Sequence, residues 1–106
     1  MDEADFDRVA RDELTAIEDA LSDIDPDDVE VNSADGVLRL DLRDGTRIVI
    51  NSHRAARQIW MAAVSTAWHF DPVDGGSGWR AHKTGEDLRP TLARLVKDHV
   101  GVALPL

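Results

Sequence analysis

The spacing of apolar residues changes twice along the chain, and those two changes leave few folds open. Over residues 4–22, Phe6, Ala10, Leu14, Ile17 and Leu21 recur at steps of three and four, the spacing of one helical face. Asp25-Pro26-Asp27 then carries turn chemistry, and Pro26 lacks the amide hydrogen that a continuing helix needs. From Val29 the period drops to two. Val29 and Val31 flank Glu30; Leu38, Leu40 and Leu42 alternate with Arg39 and Asp41; Ile48 and Ile50 follow the turn Arg43-Asp44-Gly45-Thr46. Asp-Gly supplies the positive φ of a hairpin turn. Further strands are expected at Gln58–Val64, around Trp68 to Phe70 and, after a Gly75-Gly76-Ser77-Gly78 turn, around Trp79 to His82. Helical spacing returns with Leu88, Leu92, Leu95, Val96 and His99, read as an apolar stripe. Asp87 is the expected N-cap, Pro90 falls in the first turn, and Gly101 is the expected stop.

Helix, then five or six strands, then helix predicts an α+β fold. Both helices pack on one face of an antiparallel sheet, and the other face meets solvent. With 106 residues, one domain spanning residues 1–106 is expected. The chain has no cysteine, which excludes a disulfide scaffold, a thiolate metal site and a cysteine nucleophile. No apolar run is long enough to span a bilayer. The acidic start Met1-Asp2-Glu3 is wrong for a signal or transit peptide, so a cytoplasmic location is expected. A net charge of −9 disfavours nucleic acid and anionic membrane as partners.

That charge is concentrated. Residues 1–30 hold 13 acidic and 2 basic residues, and the rest of the chain holds 8 acidic and 10 basic. An acidic proteome would spread such charge over the whole surface; a pole of this density points to a local use. On a helical wheel, Asp5, Asp12, Asp19 and Asp23 fall within roughly 20° of one line, and the apolar face centres roughly 140° away. Glu18 flanks this row, and Asp25, Asp27, Asp28 and Glu30 continue it. Glu3 and Glu13 project nearer the apolar face. Like charges one turn apart, and aspartates near a helix C-terminus, oppose helix formation. Folding alone does not ask for that placement, although a plain solvated face is the competing reading. Carboxylate oxygens suit hard cations. Asp23-x-Asp25-x-Asp27 opens like a calcium loop, but Asp28 and Ala34 stand where such a loop needs Gly and Glu. The expectation is weak, exposed binding at several places.

Strand alternation puts Gln58, Trp60 and Ala62 on the solvent face, with Arg39, Asp41, Arg47 and Val49. Trp60 is therefore a candidate anchor for a protein partner, whereas Trp68 and Trp79 read as structural. His53, His69, His82 and His99 show no metal-ligand spacing, with His99 read as packing. Ser52-His53 and Ser65-Thr66 belong to no visible base–orienter set, so no catalytic residue is assigned.

The segments Asp35-Gly36-Val37-Leu38-Arg39-Leu40, Asp44 through Asn51, Gln58-Ile59-Trp60-Met61-Ala62, His69-Phe70-Asp71, Trp79 and Thr84-Gly85-Glu86, together with Phe6, Ala10, Ile17-Glu18 and Leu21, resemble the frataxin family, in particular its bacterial frataxin-like members. The resemblance covers nearly the whole chain. It departs after Asn51, where His53 and Ala55 stand in place of the family's Gln and Pro, and the turn before the first strand is a residue shorter. The resemblance implies an α/β sandwich. It also implies iron binding, as Fe²⁺ or Fe³⁺ and without an organic cofactor, on an acidic ridge that maps to Glu18, Asp19, Asp23, Asp25, Asp27, Asp28 and Glu30. The wheel adds Asp12 and Asp5. It further implies a role in iron–sulfur cluster assembly, as iron donor or regulator, with a cysteine desulfurase and a scaffold protein as partners. Trp60, Asn51, Gln58 and Arg39 would form the partner face. Eukaryotic relatives have been assigned iron oxidation, which here would follow from clustered iron rather than from a built active site. The competing readings are a metal-independent acidic docking module and a metal-assisted enzyme.

Overall fold

In the computed structural model, which describes residues 1–73 and 78–106, a helix α1 (Glu3–Leu21) precedes six strands and a closing helix. The strands are β1 (Val29–Ala34), β2 (Val37–Leu42), β3 (Arg47–His53), β4 (Gln58–Ala63), β5 (Thr66–Pro72) and β6 (Trp79–Ala81), and the last helix is α2 (Leu88–Val100). They form one antiparallel sheet in sequence order, β1 to β6. The expected α+β sandwich is therefore present. The turn read at Gly75, Gly76 and Ser77 lies outside the described residues.

The period-two residues meet the helices on one face. Leu38, Leu40, Ile48, Ile50, Ile59 and Met61 are all buried with Phe6 and Ile17 of α1 and Leu92 and Val96 of α2. α1 lies against β1 and β3, and α2 against β2 and β6. Trp79 meets Phe6 edge to face, with centroids 5.9 Å apart. Trp68 is buried and donates its indole N–H to Glu86 Oε1 at 3.1 Å, which holds the Glu86 carboxyl below its ordinary range. Both tryptophans are structural, as read.

Local chemistry sets the ends. The Asp2 carboxylate accepts from the Asp5 amide at 2.8 Å and caps α1. The helix stops at Leu21, so Asp23 lies past its end and off the helical row on which the wheel had placed it. The β1–β2 turn puts Asp35 and Gly36 at positive φ, and a Cβ on Gly36 would sit 2.8 Å from Ser52 Oγ. Gly45, at φ 90, closes the β2–β3 turn through its N–H to Leu42 O. β4 ends one residue early because Val64 turns to φ 58, a strained place for a β-branched residue. α2 begins after Asp87 and ends at Gly101, which is left-handed. Asp87 has the extended backbone of an N-cap but makes no side-chain cap; its carboxylate accepts from Arg80 Nε at 2.9 Å instead.

His99 also departs from the sequence reading. It is not apolar packing. Its Nδ1 lies 2.7 Å from Asp44 Oδ2 and 3.1 Å from Thr46 Oγ1, tying the last turn of α2 to the β2–β3 turn. The Thr46 amide and this imidazole hold the Asp44 carboxyl down at about 2.

Candidate functional site: the acidic edge and the outer sheet face

The carboxylates of residues 1–30 separate into two sets. The first is held by arginines. Arg54, in the β3–β4 turn, meets Glu3 at 2.9 Å and Asp7 at 3.1 Å. Arg8 lies 3.6 Å from Asp5, which takes Asp5 out of a free row. Glu13 is 7 % exposed and accepts two hydrogen bonds from Arg89 of α2, at 2.7 and 3.0 Å. That pair raises the Arg89 pKa. The other work expected of Glu3 and Glu13 is thus ion pairing.

The second set runs from α1 into β1. Asp12, Asp19, Asp23, Asp27 and Glu30 are exposed, and their side chains have no hydrogen-bond or ion-pair partner among the described residues. Three members of the candidate ridge are engaged. Glu18 accepts from the Ser33 hydroxyl at 2.8 Å, which fastens α1 to the edge strand β1. Asp25 Oδ1 accepts from the Asp27 amide at 2.9 Å and shapes the turn. Asp28 is paired with Arg43, whose guanidinium also reaches Val100 O at 3.3 Å. Glu30 points to the sheet face away from the helices, opposite Asp41 across β1–β2. The candidates therefore wrap around the β1 edge rather than forming one straight line. Among the described residues, no three His, Asp or Glu side chains are placed to hold one metal ion. Asp23, Asp25 and Asp27 do not converge as a calcium loop would require.

On the outer sheet face, β3, β4 and β5 bring Asn51, Trp60 and His69 into one cross-strand row. Gln58 joins them: its Oε1 accepts from Trp60 Nε1 at 2.8 Å, and its Nε2 donates to Asp71 Oδ1 at 3.0 Å. Trp60 is half-buried, not freely exposed, because it is stacked on both faces. His53 lies 3.8 Å away, centroid to centroid, with a 15° tilt, and His69 lies 4.3 Å away with a 13° tilt. Arg39 is not part of this group. It sits two strands over on β2, opposite Val49, and donates to Asp41 at 3.2 Å. Arg47 donates to Asp41 as well, at 2.8 Å, and is the first cause of that carboxyl's lowered pKa.

Sequence reasoning missed the two histidines around Trp60. Their shared face was available from strand parity, but their contact needs the register, which no local pattern states. It also missed Arg43, Arg54 and Arg89, whose acidic partners lie 15 or more residues away.

The chain matches the frataxin-like domain family over residues 1–102. It is 35% identical over 107 residues to the "Iron-sulfur cluster assembly protein CyaY" of Dechloromonas aromatica, covering 100% of this chain and 99% of that one. It is 32% identical over 101 residues to the protein of the same name in Pseudomonas fluorescens, covering 95% and 91%. Its fold superposes on frataxin from Psychromonas ingrahamii with a TM-score of 0.88 at 20% identity, covering 98% and 96% of the two chains. It also resembles trimeric frataxin from Saccharomyces cerevisiae complexed with ferrous iron, with a TM-score of 0.75 at 28% identity and coverage of 89% and 87%. With six antiparallel strands under two helices and a sequence match across almost its whole length, this chain belongs to the frataxin family.

Proposed function

We propose that this chain is an iron-binding accessory protein of iron–sulfur cluster assembly, carrying iron as cargo on the acidic edge that runs from α1 into β1. The observation that carries the reading is the sorting of carboxylates. Among the described residues, Asp12, Asp19, Asp23, Asp27 and Glu30 are left without side-chain partners in a fold that pairs most of the acids before them. Unpaired oxygens of this kind suit Fe²⁺ and Fe³⁺. Bacterial relatives named for cluster assembly and a yeast frataxin complexed with ferrous iron support the same reading. No organic cofactor is needed. Because no three carboxylates converge among the described residues, iron would sit on one or two of them, with water completing its shell. Binding would be weak and spread, with Glu18, Asp25 and Asp28 contributing only where their present partners give way.

The partners would be a cysteine desulfurase and the scaffold on which clusters form, in the cytoplasm. Trp60, Asn51 and Gln58 would supply the contact face, with Arg39 at its margin. Whether the chain donates iron or regulates the desulfurase follows from what docks where. A second reading has the acidic edge dock on a basic protein surface without metal, where charge supplies orientation and association rate. The lack of a converging ligand set among the described residues favours it.

An anaerobic NMR titration with Fe²⁺ separates the two. Amide broadening is expected within residues 12–30. The double substitution Asp19→Asn/Asp23→Asn is expected to weaken it while leaving stability unchanged, or raising it by a few tenths of a kcal/mol as like-charge repulsion falls. An iron titration unaltered in that variant overturns the cargo reading. Partner binding that survives iron removal but fails in the same variant establishes the second.

A further inference from the structure

Every arginine of the chain but one has a carboxylate partner among the described residues, at 3.8 Å or less. Arg11 is the exception. It is exposed on α1, one turn after Asp7, yet its guanidinium has no partner among the described residues. It lines a cavity of about 530 Å³ between α1 and the β1–β2 turn. The helix is pinned at both ends of this cavity. Asp7 is tied to Arg54, just past β3, at 3.1 Å, and Glu18 to the Ser33 hydroxyl of β1 at 2.8 Å. These anchors share one helix face and lie roughly 16 Å apart along its axis, so α1 spans the gap between them. A cavity of this size suits a small organic ligand.

The lining carries charge of both signs. Arg11 offers a planar cationic fork from the helix side, which suits a carboxylate. Asp35 lines the cavity from the β1–β2 turn, where it is exposed and its carboxylate has no partner among the described residues. Glu18 adds a second negative group, engaged only by the Ser33 hydroxyl. Arg11 and Asp35 line one cavity without pairing with each other, so both remain available to a ligand. The same lining has apolar surface: Leu14 and Leu38 pack into the core, and Val37 is 40% exposed. An anion alone would meet Asp35 and Glu18, and a cation alone would be opposed by Arg11. A molecule that carries carboxylate and ammonium together, with an aliphatic tail, answers all three features.

We propose that this cavity binds a free aliphatic α-amino acid, with its carboxylate on Arg11, its ammonium on Asp35 and Glu18, and its side chain against Leu14, Val37 and Leu38. The test uses the full chain without iron, so its failure leaves the cargo reading standing. L-leucine is titrated at about pH 7, where both of its ends are charged, and followed by amide NMR. Saturable shifts are expected within residues 11–18 and 33–38, with half-saturation at about 1 mM or below. Two analogues keep the leucine body and one charge each: isocaproate lacks the ammonium, and isoamylamine lacks the carboxylate. Each is expected to bind the unaltered chain at least about tenfold more weakly than leucine. Arg11→Gln should bring leucine down to the affinity of the amine, and Asp35→Asn toward that of the acid. Neither variant should move the melting transition, because neither side chain has a partner to lose and asparagine accepts the φ of 47 at Asp35. No saturable shift by about 20 mM leucine, or analogues that bind within about threefold of it, overturns the proposal. So does leucine binding that is unchanged in Arg11→Gln. The analogue comparison needs no variant and decides the matter even if one fails to fold.

Discussion

The two stretches of the acidic third make a controlled comparison within one protein. In the first four turns of α1, Glu3, Asp5, Asp7 and Glu13 each face an arginine, and Asp12 has no side-chain partner among the described residues. From Asp19 to Glu30, Arg43 is the one arginine in reach among the described residues, and it takes Asp28. Both stretches are acid-rich, but the first carries Arg8 and Arg11 and the second no base, and their surroundings differ. The β3–β4 turn brings Arg54 and Arg57 beside the start of α1, and α2 brings Arg89 beside Glu13. Beyond Arg43, no element among the described residues brings a cation to the far end. Negative charge is thus structural where another element crosses it, and available where the chain runs along the open β1 edge.

Removing the held charges should cost most. Glu13→Ala strips both hydrogen bonds from Arg89 at a buried position and is expected to lower unfolding free energy by about 2 kcal/mol, less than a fully buried pair because Arg89 is partly exposed. Urea denaturation measures it. A loss below a few tenths of a kcal/mol would mean the first stretch is as idle as the second.

Arg54→Ala tests the contrast from the opposite direction by freeing Asp7 and leaving Glu3 only its 3.8 Å contact with Arg57. These are exposed pairs, so a stability loss of about 0.5 kcal/mol is expected. The sharper readout is Fe²⁺ broadening, which should now extend to the start of α1. Broadening that stays within residues 12–30 would show that unpaired carboxylates alone do not draw the ion.

The smallest effect concerns a held carboxylate outside the acidic third. Asp44 is lowered from 3.8 to about 2 by the Thr46 amide and His99. Its contribution is present above the unfolded value and is lost as pH falls from about 4 through about 2. Thermal melts across that window should show a shallower acid loss in Asp44→Asn, and identical curves would rule out the latch. Being exposed, the group contributes little in salt.

Much of the fold was legible because it rests on periodicity. Phe6 to Leu21 and Leu38 to Ile50 needed only spacing to identify their faces, and Gly45 and Gly101 mark turns because glycine takes positive φ without strain. The errors arose where a side chain answered to a distant residue. Asp87 left its cap for Arg80 on β6, and His99 turned from the core toward Asp44. The candidate ridge was legible as a set of residue types but not as a shape. Asp23 lies beyond the helix, and Glu30 faces the other side of the sheet.

By itself, the order of residues determined the element types, the inward faces, the acidic pole and the family. These depend on local spacing and on how much charge the chain carries. Tertiary structure alone decided which carboxylates are neutralised and that Trp60 lies between two imidazoles. Both depend on strand register and on helix placement, which bring together groups that no local pattern relates.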